Sequence, residues 1–401
     1  MLVKIAKEVL KKINPAHLVT TELKKHSFGS YERIFVIGTG KGASKMAEAV
    51  EKHLEITEGF ITIPEGETPP KLKKIKYLNA SHPLPNANGV KGAKEILKIA
   101  KKADKNDLVI SLISGGGSAL MPLPAKGISL KDKIKITSSL LKSGATIQEI
   151  NTVRKHLSQI KGGFLAKALY PATCLNLVIS DVLGDDLSSI ASGPLSPDPT
   201  TREDAFKILK KYGKLLVETP KPGDKIFKNI KSKILANHET TANTVAKIIK
   251  KKGLKPIILD TNLKGECRIK AAEIARKITD PKAIYILTGE TTVTVKGKGA
   301  GGRNQEFVLA AIHTNPKIEI LSIGTDGVDG FCPEKVAGAI ANSDTLKQGV
   351  SPLPYLKNND SYHFFKKTGG LIITGPTGTN LGDLVLATLH LGGITKRRRF
   401  L

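Results

Sequence analysis

A few short segments carry residue types whose chemistry is specific. Gly38-Thr39-Gly40-Lys41-Gly42-Ala43 sets one lysine in a glycine-rich turn. Backbone N–H groups at a turn opening into a helix favour an anion, and Lys41 adds a mobile positive charge. Gly38, Gly40 and Ala43 also fit the dinucleotide pattern G-x-G-x-x-[GA]. No acidic residue follows a second strand where a ribose contact would need it, and the spacing is not that of a P-loop. Ser114-Gly115-Gly116-Gly117-Ser118 is the stronger signal, because consecutive glycines let the backbone wrap closely around an anion. Ala119 and Leu120 after Ser118 break the G-x-S-x-G elbow, which argues against Ser118 as an acyl nucleophile.

Acidic and amide side chains come next. Asp181, Asp185 and Asp186 follow an apolar run directly, a place that suits Mg²⁺ or a general base. Helix capping is the alternative for Asp185 and Asp186, so Asp181 is the better candidate. Arg154, in Asn151-Thr-Val-Arg154-Lys-His156, stands out in a chain that otherwise uses lysine, and its planar fork suits a carboxylate or phosphate. Gly299–Glu306 delivers Arg303, Asn304, Gln305 and Glu306 at a helix start, as a charge clamp for phosphoryl transfer requires. Glu290 in Gly289–Thr292, Asp326 in Gly324–Gly327 and the segment 375–380 lie in similar loops, each of which also reads as ordinary turn chemistry. His82, between Ser81 and Pro83, reads as rigid loop structure rather than a proton donor.

These loops need strands to hold them. Arg33–Ile37, Asp107–Ile113 and Leu175–Ser180 are continuous apolar runs, each followed by one of the loops above. Lys255–Leu259, Ala283–Leu287, Ile318–Ile323 and Leu371–Thr374 repeat the pattern in the second half. Such strands alternating with helices predict parallel α/β sheets covered on both faces, with ligands bound beyond the carboxyl ends of the strands. The fold expected is therefore two α/β domains, residues 1–230 and 231–401, with mostly parallel, Rossmann-like sheets and a cleft between them. Val217–Asp224, with two prolines and a glycine, is the linker candidate.

Composition narrows the class. Of 401 residues, 40% are hydrophobic and 25% charged, enough for two cores. No apolar run approaches the ~20 residues that span a bilayer. The N-terminal segment is amphipathic rather than signal-like, so a cytoplasmic location is expected. Cys174, Cys267 and Cys332 are far apart and predict neither disulfides nor a structural zinc site. The net charge of +27 comes from scattered lysines, with aromatics at 4% and no tryptophan. That pattern, without a recognition motif, favours an anionic small substrate over specific nucleic-acid binding. Lys-rich, Gln-poor usage is compatible with a thermophile. Lys396–Arg399 reads as a solvated basic tail.

In order, the segments SHPLPN, LISGGGSAL, NTVRKHLSQIKGG, VISDVLGDDLSSIASGP, LTGETTV, GGRNQEF, GTDGVDG and GPTGTNLGDL span nearly the whole chain. The chain resembles glycerate 2-kinases of the GckA/TtuD type, with a C-terminal half similar to the MOFRL domain. That resemblance implies ATP-dependent, Mg²⁺-dependent phosphorylation of D-glycerate at its 2-hydroxyl by a monomer or homodimer. By the same resemblance, Lys41, Asp181 and Arg303 are the catalytic residues. Asp181 or Asp185 would ligate the metal. Gly40, Ser114, Gly115, Gly116, Gly117, Ser118, Arg154, Glu290, Asn304 and Asp326 would bind substrate or phosphate. The alternatives are an NAD(P)H-dependent hydroxypyruvate reductase and a kinase of a related hydroxy acid.

Overall fold

A computed structural model describes residues 1–182, 184–209 and 216–389. They form two compact units, one of residues 15–237 and one of residues 1–14 with 238 onward.

The first unit is built on six strands: β1 (Ile34–Thr39), β2 (Glu58–Pro64), β3 (Ile75–Ala80), β4 (Leu108–Ile113), β5 (Thr173–Ile179) and β6 (Ile230–Ala236). They lie in the order β3-β2-β1-β4-β5-β6, and every neighbouring pair is parallel. This is the doubly wound dinucleotide-fold order, whose direction of winding reverses between β1 and β4. β4 is buried at all six positions because helices cover both faces of the sheet. β3 and β6 are edge strands, and they carry the exposed lysines Lys76, Lys231 and Lys233, the device that keeps sheet edges from pairing with other chains.

The second unit holds β7 (Lys255–Glu266), β8 (Ala283–Thr292), β9 (Ile318–Gly324), β10 (Gly338–Ala341), β11 (Leu371–Ile372) and β12 (Asp383–Leu389). The order is β11-β10-β9-β12-β8-β7. β7, β8, β9 and β11 share one direction, while β12 and β10 run against it. The parallel character expected of both sheets is thus complete in the first and partial in the second. β12 slots between β8 and β9 and reverses the ladder on both sides.

Two expectations about the chain's organisation meet a different arrangement. β6 begins at residue 230 and pairs with β5, so the compact units divide after it, at Asn237. The linker candidate 217–224 is packed into the first unit: the Val217 N–H donates to the His156 carbonyl at 3.0 Å, and Thr219 Oγ1 donates to Asp198 Oδ2 at 3.1 Å. Its prolines shape a fixed segment rather than a tether. The basic run Lys396–Arg399 lies outside the described residues.

The N-terminal helix Leu2–Lys12 packs on the helix His238–Lys251 of the second unit. Leu2, Ile5, Ala6 and Val9 form its buried stripe, and Glu8 pairs with Lys252 at 2.8 Å. Ile5→Ala is expected to destabilise the second unit by about 2–5 kcal/mol in urea unfolding. A loss below about 0.5 kcal/mol would contradict this packing.

Candidate active site

In the first unit the loops after β1 and β4 are hydrogen-bonded together where the winding reverses. The Lys41 N–H donates to the Gly115 carbonyl at 2.9 Å, and the Gly42 N–H donates to Ser114 Oγ at 2.9 Å. Gly40 adopts φ +129°, and a Cβ there would stand 2.5 Å from the Ser114 carbonyl oxygen. Only glycine permits that approach. Gly116 turns through φ +87° and leads into the short helical turn Gly117–Leu120. Two glycine loops therefore present backbone at the carboxyl ends of adjacent strands, as an anion site demands. His82 lies against Gly116, and burial, then the charge of Lys41, lower its pKa. A neutral imidazole at that place agrees with a structural part.

The loop after β5 adds strain. Ala191 (φ 51°) and Ser192 (φ 61°) are both left-handed, next to Gly193 (φ 62°). Two such non-glycine residues cost ~1–3 kcal/mol each and cluster where function requires a fixed backbone. Ser192 Oγ lies 2.9 Å from Ser118 Oγ and 3.4 Å from Asn151 Oδ1. This polar chain joins the β4 loop to the helix Ile147–His156, which opens on a Thr146–Glu149 capping box and carries Arg154. Asp181 begins the β5 loop and is half-buried. Asp185 accepts a hydrogen bond from Asn237 through Oδ2, and its buried Oδ1 has no hydrogen-bond partner. Asp186 accepts from the Ser188 N–H and from the hydroxyls of Ser188 and Ser189, which makes it a turn residue.

The second unit organises its charge differently. Arg303 Nε donates to both carboxylate oxygens of Asp383, at 3.0 and 2.9 Å, and its Nη1 stands 3.1 Å from Glu290 Oε1. Burial works against its charge, and Asp383 outweighs that, so Arg303 stays firmly protonated. Asn304 Nδ2 bridges Asp383 (2.9 Å) and Asp329 (3.2 Å), while its Oδ1 accepts from Ser322. Asp329 accepts the N–H groups of Asn304 and Gln305 at 2.9 Å each and so caps the helix Arg303–Thr314. Burial raises the Asp329 pKa against those bonds. Asp326 turns the loop after β9 by accepting the Val328 N–H.

The structure thus brings Gly40, Lys41 and Ser114–Ser118 together, with Asp181 at the next strand end. Separately, it brings Glu290, Arg303 and Asn304 together. Asp383 and Asp329 were not singled out from sequence, although both lie in motifs quoted above; a carboxylate at a strand end beside a lone arginine was the available signal. Among the described residues, Glu266, Cys267 and Glu306 are the one trio of metal-type donors close together. Glu306 is bonded to Arg268 and Asn359, and burial, then the charge of Glu306, raises the Cys267 pKa.

The model of the domain of unknown function DUF4147 matches residues 1–222, and the MOFRL family model matches residues 283–383. A D-glycerate 2-kinase of Thermotoga maritima is 40% identical, over 97% of this chain and 98% of its own. The chain belongs to the glycerate kinase family. A glycerate 2-kinase of Pyrococcus horikoshii is 41% identical over 88% of this chain and 87% of its own. The crystal structure of glycerate kinase from Thermotoga maritima superposes with a TM-score of 0.89 at 40% identity, covering 97% of this chain and 98% of that one. The α/β architecture is that of this family.

The Arg303–Asp383 pair yields a stability prediction. Arg303→Met would strand a buried carboxylate and cost about 3 kcal/mol in urea unfolding, the low end for such pairs because Arg303 is partly exposed. Adding Asp383→Leu is expected to recover most of that loss. No recovery would mean that the pair is not the unit that matters.

Proposed function

We propose that this chain phosphorylates D-glycerate at its 2-hydroxyl, using ATP with Mg²⁺ and giving 2-phosphoglycerate and ADP. The observation that carries the reading is the joined pair of glycine loops at the winding reversal between β1 and β4, with Lys41 at their junction. Family membership over nearly the whole chain supports it.

Phosphoryl transfer asks a protein mainly for positioning and charge neutralisation. The amides of Gly115, Gly116 and Gly117 and the hydroxyls of Ser114 and Ser118 would cradle phosphate oxygens, with Gly40 keeping the two loops in contact. Lys41 supplies a mobile cation to the transferring group. Asp181 would orient the acceptor hydroxyl and receive its proton. Arg303, fixed by Asp383 and Glu290, offers a rigid guanidinium for an anionic group, and Asn304 keeps that pair in place. Asp326 would shape the neighbouring loop for substrate.

The donors present fit Mg²⁺, which takes one or two carboxylates and otherwise keeps water or phosphate oxygens. The unpartnered buried Oδ1 of Asp185, with Asp181 in the same loop, is that kind of donor set. Bound there, Mg²⁺ would neutralise phosphate charge.

The test is D-glycerate-dependent ADP release by wild type, Lys41→Ala and Arg303→Ala. Each substitution should lower kcat/KM by ~10²-fold or more while the protein stays folded, the scale for losing one charge-stabilising donor. Near-wild-type turnover in either folded variant would remove that residue's role. NADH oxidation with hydroxypyruvate, without ADP release, would replace the reading by a reductase.

A further inference from the structure

Two buried lysines of the first unit, Lys133 and Lys161, have carbonyl partners and no carboxylate partner among the described residues, and the charge of Arg154 acts on both. Lys161 is 1% exposed and Lys133 is 5% exposed, while Arg154 is half-buried. Lys161 Nζ donates to the Ala191 carbonyl at 3.1 Å, and Lys133 Nζ donates to the Leu157 carbonyl at 3.0 Å. An ammonium has three donors, so one carbonyl each leaves both lysines under-satisfied. Asp198, of the same unit, is taken by Lys155 at 3.2 Å and by Thr200 and Thr219. Burial, then Arg154, lower Lys133 to about 7. Burial, then Lys133 and Arg154, push Lys161 well below the usual lysine range.

Like charges buried together oppose folding, and apolar side chains of the same volume would serve packing better. The cluster's position gives it a use. Lys161 is tied to the strained turn at Ala191, and a Cβ on Gly117 would stand 2.9 Å from Ala191 Cβ, so the turn packs directly against the glycine loop after β4. The polar chain Ser118–Ser192–Asn151 runs along the same turn to the helix that bears Arg154.

We propose that Lys133, Arg154 and Lys161 form the site that binds the carboxylate of the hydroxy-acid substrate. This rests on the kinase reading above and adds the substrate group that its phosphate loops leave unassigned. The guanidinium fork of Arg154 matches a carboxylate in two parallel hydrogen bonds. The two lysines supply charge from a low-dielectric floor, where attraction to a small anion is strongest. A compact, planar monoanion suits so enclosed a cluster, whereas the chain of phosphates on ATP suits the open glycine loops. Entry of the carboxylate supplies the missing counter-charge and favours the ammonium form of both lysines.

Lys161→Met tests this, with Arg154→Gln as a second variant. Methionine fills the same volume without charge, so Lys161→Met should keep or raise Tm. In both variants the KM for D-glycerate should rise roughly 10- to 100-fold, the scale for a lost charged hydrogen bond. The KM for ATP should stay within about threefold. Calorimetric titration of the wild-type chain with D-glycerate, glycerol and inorganic phosphate should give binding for glycerate, none for glycerol, and weaker glycerate binding in both variants. An unchanged glycerate KM and affinity in both variants would overturn the proposal, as would a selective rise in the KM for ATP or binding of inorganic phosphate that is lost in both variants. A marked fall in Tm with unchanged glycerate affinity would make Lys161 structural and overturn it too. If the wild-type chain binds D-glycerate through these residues yet releases no ADP, the carboxylate site stands and the kinase reading falls.

Discussion

The loops that follow β1 and β4 can touch only because residue 40 has no side chain. Much of the first unit's site is built around that approach. The Ser114 carbonyl and hydroxyl occupy the space a Cβ would need, and the hydroxyl then accepts the Gly42 N–H. With the loops locked, Lys41 is held at their junction and Gly117 comes up against Ala191. The left-handed residues there, Ala191 and Ser192, are held in turn by the Gly162 N–H on the Ser192 carbonyl at 3.0 Å and the Gly163 N–H on the Gly193 carbonyl at 2.8 Å. Those bonds over-determine a backbone that would otherwise relax.

Two clusters of buried charge, one in each unit, are built differently. In the second, Arg303 is met by two carboxylates, Asn304 cross-braces them, and Asp329 is satisfied by amides of the helix it caps. That is a closed network, which rigidifies because nearly every member is satisfied. In the first, two buried lysines have single carbonyl partners, and burial, then neighbouring positive charge, disfavours their ammonium forms. A closed network fixes geometry in the free protein. An open one stores unfavourable free energy that an anion relieves on arrival, which makes affinity and stability pull in different directions.

In the first sheet β1, β4 and β5 were legible in the sequence, and in the second β7, β8, β9 and β11 were, whereas β2 and the central β12 were not. β1, β4 and β5 read as strands because both their faces are buried and their apolar runs are unbroken. β3 and β6 escaped because exposed polar residues such as Lys76, Lys231 and Lys233 interrupt their apolar runs, and β10 because three of its four residues are glycine or alanine. The glycine loops were visible as local chemistry. The partners of Arg303 were not, since Asp383 is 80 residues away and only the sheet register brings it opposite Gly289 beside Glu290. The lysines at 133 and 161 looked like two more surface charges in a lysine-rich chain, and only burial sets them apart.

The central claim is that these loops carry phosphoryl transfer to the 2-hydroxyl of glycerate. Phosphorus NMR of the products formed from D-glycerate, ATP and Mg²⁺ tests it most directly. The account predicts the signal of 2-phosphoglycerate together with that of ADP. A 3-phosphoglycerate signal would contradict the assigned hydroxyl, and unchanged ATP across a range of divalent metals and nucleotides would contradict the kinase altogether.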